Sequence, residues 1–223
     1  MAATLPRSPA AKRGELTKRK RRQPRADAVR TRSALLAGAR EVFERDGYVH
    51  ARIADIARAA GVAHGSFYSH FDSKEDIFAA VHAEIAYEML HPAPVPQATV
   101  GHERDLEAAI EAANRHYLAT YRRAAKLMAL LEQVASVDAR FRRLRLQRTE
   151  AFIDRNAKTI ERLQAEGKAD RTLDPRLASM ALSAMVSRSA YFAFVIGRRV
   201  DVDALARTLT RLWVNSLCDC ATA

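Results

Sequence analysis

Cysteine, proline and glycine are scarce in this chain of 223 residues, which contains 2 Cys, 7 Pro and 8 Gly. Cys218 and Cys220 stand together without a nearby histidine, so their spacing predicts two reduced thiols and no metal site. No apolar run approaches the ~18 residues of a membrane-spanning helix, and the N-terminus lacks the apolar core of a secretory signal. We therefore expect a cytoplasmic protein without membrane contact.

Positive charge is concentrated at the N-terminus. Residues 1–22 hold eight Lys/Arg and one acid, a net charge of +7, whereas the other 201 residues carry 29 basic and 25 acidic side chains, a net charge of +4. We predict a basic, disordered arm over residues 1–25. Such arms commonly bind nucleic-acid phosphates, although a solubilising tail has the same composition.

Helical spacing of apolar residues begins at Ala26 and continues almost to the C-terminus, with no strand-like alternation. Helix caps are recognisable at Ser73, which forms a capping box with Asp76, and at Asp174 before Pro175. The prolines within residues 91–101 interrupt the pattern. The fold class is therefore all-α. The predicted helices cover approximately residues 26–46, 53–59, 64–70, 74–90, 103–122, 124–135, 138–166, 175–196 and 202–218.

Two short helices within residues 53–74 have the pattern of a helix-turn-helix. Ile53 and Ile56 form the inner stripe of the first helix, and Gly61 supplies the positive φ that a tight turn requires. Phe67 and Phe71 return to the core. The second helix then exposes a polar face, as a recognition helix in the DNA major groove does; the alternative is a helical hairpin with an ordinary polar surface.

The stretch D-I-A-x-x-A-G-V-x-x-G-x-x-Y-x-H-F-x-x-K-E, residues 55–75, resembles the signature of the TetR family of helix-turn-helix repressors. The resemblance implies a three-helix DNA-binding domain over residues 26–80. It implies that Tyr68, His70 and Lys74 contact phosphates and that Gly65 lets the backbone approach DNA. The variable positions that face base edges would be His64, Ser66 and Ser69.

Two departures from the family pattern affect DNA binding. Ala51-Arg52 and Ala63 stand where relatives carry a threonine and a capping serine, and Arg52 would replace the threonine's phosphate contact with a charge. Residues 27–80 also contain seven Lys/Arg and eight Asp/Glu, a net charge of −1. Additional phosphate neutralisation is therefore needed, and the basic arm is its expected source.

The resemblance assigns residues 81–223 to a helical effector-binding and dimerisation domain with a largely apolar inducer. At helical spacing, large apolar residues such as these are more often plain core than ligand contacts. Arg188 lies in an apolar stretch, and a buried arginine needs an anionic ligand or a structural acid as partner. The arginine-rich run 140–148 is interpreted as a solvated helix. The candidate ligand residues are Tyr117, Tyr121, Met128, Met180, Met185, Arg188 and Phe192.

The last two predicted helices carry more apolar surface than one chain would readily cover. As in the family, pairing them with the same helices of a second chain would form a four-helix bundle with two-fold symmetry. The candidate dimer residues are Leu182, Met185, Leu205, Leu209 and Trp213.

The sequence lacks motifs of the common enzyme classes. It contains no glycine-rich phosphate loop, no G-x-S-x-G, no H-E-x-x-H and no Cys/His cluster. We therefore expect no catalytic residues, metal or cofactor. The expected function is a homodimeric repressor released from operator DNA by a small-molecule inducer. An activator or a co-repressor-dependent regulator would have the same sequence features.

Overall fold

A computed structural model describes residues 23–91 and 103–217, and these residues form helices and turns without a β-strand. The basic arm up to residue 22, most of the proline-rich segment, and both cysteines lie outside the described residues. The helices are α1 Gln23–His50, α2 Ile53–Ala59, α3 His64–Phe67, α4 Lys74–Leu90, α5 Glu103–Arg123, α6 Ala125–Val137, α7 Ala139–Ala165, α8 Pro175–Phe194 and α9 Val202–Leu217.

The predicted all-α class and helix order are confirmed, and the largest boundary differences lie in α1 and α3. Helix α1 begins at Gln23, so the last residues assigned to the disordered arm are helical. It also resumes after Gly47, whose φ of 73° kinks the chain, and ends at His50. Helix α3 ends at Phe67, since residues 68–70 form a turn.

Local capping explains where several helices begin. Ser73 Oγ accepts a hydrogen bond from the Asp76 N–H at 3.1 Å, and Asp174 accepts one from the Leu177 N–H. Arg52 and Ala63, which precede α2 and α3, form no side-chain cap. The two helices of the helix-turn-helix are therefore held by packing, because their N-termini lack the ~1 kcal/mol of a good cap.

The N-terminal helices pack around one aromatic cluster. Phe43 of α1 meets Phe78 of α4 edge to face at a centroid distance of 5.0 Å. Tyr48 and Phe141 complete the cluster, with their rings 5.1 Å apart. Phe141 belongs to the first turn of α7, so the core of the N-terminal helices includes a residue of the C-terminal half.

The C-terminal helices form a bundle in which α7 packs along α8 and α5 packs along α9. Helix α4 joins the two halves without a break, with Ile77, Phe78, Val81, Ile85 and Met89 buried along it. The predicted domain boundary after residue 80 thus falls inside a continuous helix. None of the described helices combines the length and apolar character needed to cross a membrane.

Candidate nucleic-acid interface and effector cavity

The α2–α3 unit is built on a glycine turn. Gly61 has a φ of 66°, as predicted, and the Val62 N–H donates to the Ala57 carbonyl at 3.0 Å. Buried Ile56 and Phe67 anchor the two helices in the core cluster that also contains residues of α1 and α4. This anchoring leaves the opposite face of α3 in solvent.

The residues predicted to bind DNA on α3 and the turn after it are exposed or half-buried. His64, Gly65, Tyr68 and Ser69 are exposed, and Ser66 and His70 are half-buried. The Tyr68 side chain is 51% exposed, and its ring meets that of His64 edge to face at 5.6 Å. A Cβ atom added to Gly65 would meet nothing within 4 Å. The surface is therefore open, with polar groups that can donate hydrogen bonds.

Lys74 is placed differently from these residues. Its ammonium donates to the carbonyls of Tyr48, Val49 and Ala51 at 2.9, 3.3 and 3.1 Å, and lies 4.7 Å from the Tyr48 ring centroid. Lys74 thus caps the C-terminal end of α1. The phosphate contact implied for Lys74 stays a prediction.

Most cations of this region are already paired with acids. Arg58 pairs with Asp55, and Arg45 pairs with Asp46 at 2.7 Å. Arg52, which is exposed at the start of α2, has no ion pair among the described residues. This pairing agrees with the small net charge of the region and leaves Arg52 as a cation available beside α3.

A cavity of about 450 Å³ lies in the C-terminal half. Its walls come from α5, α7, α8 and α9, and Met89 of α4 also reaches it. Phe152, Ile160 and Val186 are among its apolar lining residues. The volume lies in the range that holds drug-sized molecules.

Four arginines of α7 line this cavity, whereas none of its 23 lining residues is Asp or Glu. Arg145 pairs with Glu132 at 2.8 Å. Arg148, Arg155 and Arg162 have no ion pair among the described residues. We call these three the α7 arginines. The cavity wall is therefore cationic as well as apolar.

The lining of the cavity also includes polar side chains from α5 and α9. Trp213 is 8% exposed, and its Nε1–H has no hydrogen-bond partner among the described residues. Asn114 is buried and donates from Nδ2 to Thr210 Oγ1 at 3.1 Å. Burial raises the pKa of the Tyr117 hydroxyl, so it stays a neutral donor at physiological pH.

Among the predicted ligand residues, Tyr117 lines the cavity. Tyr121 and Met128 are buried in the core beside it, and Met185 is half-buried against that core. Met180, Arg188 and Phe192 lie on the exposed face of α8. These six residues are therefore not brought together around the cavity.

The expectation that Arg188 is buried is wrong. Its side chain is exposed, and its guanidinium carbon lies 4.8 Å from the Tyr191 ring and 4.9 Å from the Phe192 ring. Phe192 shares the exposed face of α8 with Arg188, whereas Leu182 and Val186 occupy the buried face. Arg188 consequently reaches solvent without a buried charged partner.

The predicted dimer residues fall into two groups. Leu182, Leu209 and Trp213 are buried within the chain's own core, and Met185 and Leu205 are half-buried against it. A different set of apolar residues remains exposed on the same two helices and just after the end of α8. These exposed residues are Leu177, Met180, Phe192, Ile196 and Leu212, with Leu177 62% exposed and Phe192 44% exposed.

Sequence reasoning missed the α7 arginines as cavity residues. The run that includes Arg148 predicts a solvated helix, and Arg140 and Arg145 do form surface ion pairs. The seven-residue spacing of Arg148, Arg155 and Arg162 could have identified them, because it places three like charges on one face of a helix. No cluster of three or more His, Cys, Asp or Glu side chains suited to a metal occurs within residues 23–91 and 103–217.

Comparison with known proteins gives matches to regulators. A family model described as bacterial regulatory proteins, tetR family, matches residues 35–81. The HTH-type transcriptional repressor BepR of Brucella suis is 40% identical over 60 residues, 27% of this chain and 29% of BepR. The uncharacterized HTH-type transcriptional regulator TtgW of Pseudomonas putida is 36% identical over 92 residues, 41% of this chain and 66% of TtgW.

The similarity to BepR thus spans less than a third of that protein's length. A solved structure shows similarity over most of this chain. It is that of NalD, the secondary repressor of the MexAB-OprM multidrug efflux pump in Pseudomonas aeruginosa. NalD has a TM-score of 0.63 and 25% sequence identity, over 87% of this chain and 99% of that of NalD.

Proposed function

Because the chain belongs to the TetR family of bacterial regulatory proteins, we propose that it is a DNA-binding transcriptional repressor whose operator affinity is lowered by a small molecule in the cavity. One observation carries the proposal. The side chains at the variable and phosphate-binding positions of the family motif, from His64 to His70, share one face of the α2–α3 unit, which buried Phe67 anchors.

In this proposal α3 enters the major groove. His64, Ser66 and Ser69 would face base edges, and Tyr68 and His70 would hydrogen-bond to phosphates. The exposed guanidinium of Arg52 would meet a further phosphate. Since residues 27–80 carry a net charge of −1, the arm of residues 1–22 would supply most of the counterion release.

Operator binding would require two copies of the chain. A single short helix in one groove makes few contacts, and a two-fold dimer reads a pseudo-palindromic site. The exposed apolar face of α8 supports this arrangement, because it is the surface that a second copy would bury. Leu212 of α9 would extend that interface.

Repression is proposed over activation because BepR and NalD are both named as repressors. The two alternatives differ in a direct measurement. Transcription from a promoter that overlaps the bound site should fall when the purified protein is added. A rise in transcription would identify an activator instead.

The test begins with selection of bound sequences from random duplex DNA, followed by gel shifts on the selected site. Tyr68→Phe keeps the ring and removes one phosphate hydrogen bond, so affinity should fall by ~0.5–1.5 kcal/mol with unchanged sequence preference. Ser66→Ala or Ser69→Ala should change the preferred sequence. A shift of preference in Tyr68→Phe, with none in the serine variants, would contradict the proposed orientation of α3.

A further inference from the structure

We propose that the cavity binds an amphipathic organic anion, whose charged group pairs with the α7 arginines and whose apolar part packs between α5, α7 and α8. This inference rests on the proposed function in taking the cavity as the effector site. It differs from the sequence-based expectation of a largely apolar inducer, because the cavity wall is cationic.

The spacing of the α7 arginines carries the first step. Arg148, Arg155 and Arg162 follow one another at seven-residue intervals, close to two helical turns, so their side chains leave the same face of α7. All three line the cavity. A row of three guanidinium groups along one wall repels other cations and attracts anions.

The lack of acidic partners is the second step. Arg148 is half-buried, and its Nη1 contacts the Met128 sulfur at 3.0 Å. Arg155 is exposed at the surface but donates to the Leu90 carbonyl, and its partial burial lowers its pKa. Neither side chain has a carboxylate partner among the described residues, although a partly desolvated cation is costly without one. An anionic group would satisfy both through charge-assisted hydrogen bonds.

The cavity lining also includes a donor side chain without a partner. Trp213 is a lining residue, and its buried indole N–H, which can only donate, has no hydrogen-bond partner among the described residues. A carboxylate that accepts two hydrogen bonds from one guanidinium still has lone pairs for further donors. Phe152, Ile160 and Val186 provide the apolar surface for a hydrocarbon body.

Trp213 is the chain's single tryptophan and therefore reports on the cavity directly. The full-length protein is titrated at about pH 7.5 with sodium dodecanoate, dodecanol or dodecyltrimethylammonium, each kept below its micelle concentration. We expect dodecanoate to shift Trp213 emission at saturating concentration and to bind about tenfold or more tightly than the other two. Equal or tighter binding of dodecyltrimethylammonium, or no response to dodecanoate, would overturn the proposed ligand class.

Arginine variants test the position of the anion. Arg148→Gln and Arg155→Gln should each weaken dodecanoate binding about tenfold or more and leave dodecanol binding unchanged. Arg148→Lys should recover part of the loss. Arg142→Gln serves as the matched control, because Arg142 lies on the exposed surface of the same helix outside the cavity. Circular dichroism checks that each variant folds. Equal loss in the Arg142 control would overturn the assignment.

Gel shifts on the selected operator separate this inference from the proposed function. Saturable dodecanoate binding that depends on Arg148, in a protein that binds no specific DNA, would sustain the anion site and reject the regulator. Specific DNA binding with no dodecanoate response would support the regulator and reject the anion site. Release of operator by dodecanoate, but not by dodecyltrimethylammonium, would support both.

Discussion

Two glycines on the DNA-binding helices have opposite surroundings. Gly38 is buried in α1, where an added Cβ would lie 2.8 Å from the Ala60 nitrogen and 2.9 Å from the Ile56 carbonyl oxygen. Gly65 in α3 faces open space. The first glycine allows α1 to approach α2, and the second is the position where we propose that the backbone approaches DNA.

Alanine substitution should separate these two roles. Gly38→Ala gains ~1 kcal/mol of helix propensity but overpacks against backbone atoms that cannot rotate away, so we expect a net loss of roughly 1–2 kcal/mol of stability. Gly65→Ala should keep or raise stability and weaken operator binding. Chemical denaturation and gel shifts measure the two effects. Full operator affinity in Gly65→Ala would contradict close backbone approach at α3.

His82 is a buried titratable group in α4. Both ring nitrogens lack hydrogen-bond partners among the described residues, and the ring packs on Phe78 at 4.5 Å. Burial, with smaller contributions from the Arg148 and Arg40 charges, lowers the pKa of His82 from 6.5 to about 3. The folded chain therefore holds this imidazole neutral.

This lowered pKa predicts acid sensitivity. Below pH 6.5 the unfolded chain binds a proton that the folded chain excludes until about pH 3, so His82 destabilises the fold by ~1.4 kcal/mol per pH unit within that window. Above pH 6.5 the contribution vanishes. His82→Leu should flatten the pH dependence of the unfolding free energy, with His50→Asn on the exposed surface as control. The same slope in His82→Leu and the parent would reject this assignment.

At the scale of whole elements, α7 is the helix that reaches both candidate sites. Its first turn places Phe141 against Tyr48 and Phe78, at centroid distances of 5.1 and 5.2 Å. The following turns supply the α7 arginines to the cavity. Tyr48 OH also donates to Glu75 at 2.9 Å, which ties the end of α1 to the start of α4. Movement of α7 would therefore shift the base of the DNA-binding helices.

We expect Phe141→Leu to weaken this coupling while both sites remain. Leucine keeps much of the buried volume and loses the edge-to-face contacts. The coupling free energy, calculated from the ratio of operator affinities with and without dodecanoate, should therefore fall by ~0.5–2 kcal/mol. Leu146→Ala, at an exposed position of α7, is the control. The two affinities are measured by gel shift at saturating and zero dodecanoate. An unchanged ratio in Phe141→Leu would place the coupling in another helix.

At the scale of the whole molecule, α8 presents different faces to the chain and to solvent. Leu182 and Val186 are buried, whereas Leu177, Met180 and Phe192 remain exposed. A contiguous exposed apolar face on a single chain indicates an interface. The proposed dimer therefore depends on the outer residues of α8 and not on Leu182.

Charge substitutions on the two faces should give different outcomes. Phe192→Arg places a charge in the proposed interface, so light scattering should show a folded monomer of 24.8 kDa that has lost tight operator binding. Leu182→Arg buries an unpaired charge and should instead unfold the chain, a loss of several kcal/mol. Circular dichroism distinguishes the two. A parent protein that is monomeric at micromolar concentration would exclude the dimer.

The helices, their order and the helix-turn-helix could all be predicted from the amino-acid sequence. These features depend on local chemistry: the spacing of apolar residues, the caps at Ser73 and Asp174, and the positive φ of Gly61. Boundaries moved by only a few residues, where Gly47 kinked a helix without ending it and a turn shortened α3.

Whether a given face of a helix packs against other helices, lines the cavity or is exposed to solvent depends on the tertiary structure. Arg148, Arg155 and Arg162 are alike in sequence to the solvated arginines near them, and they line a cavity because α5, α8 and α9 supply its other walls. Leu182 and Phe192 are equally apolar, yet one is core and the other is exposed. The physical reason is that burial depends on contacts between helices far apart in the chain, which no local pattern contains.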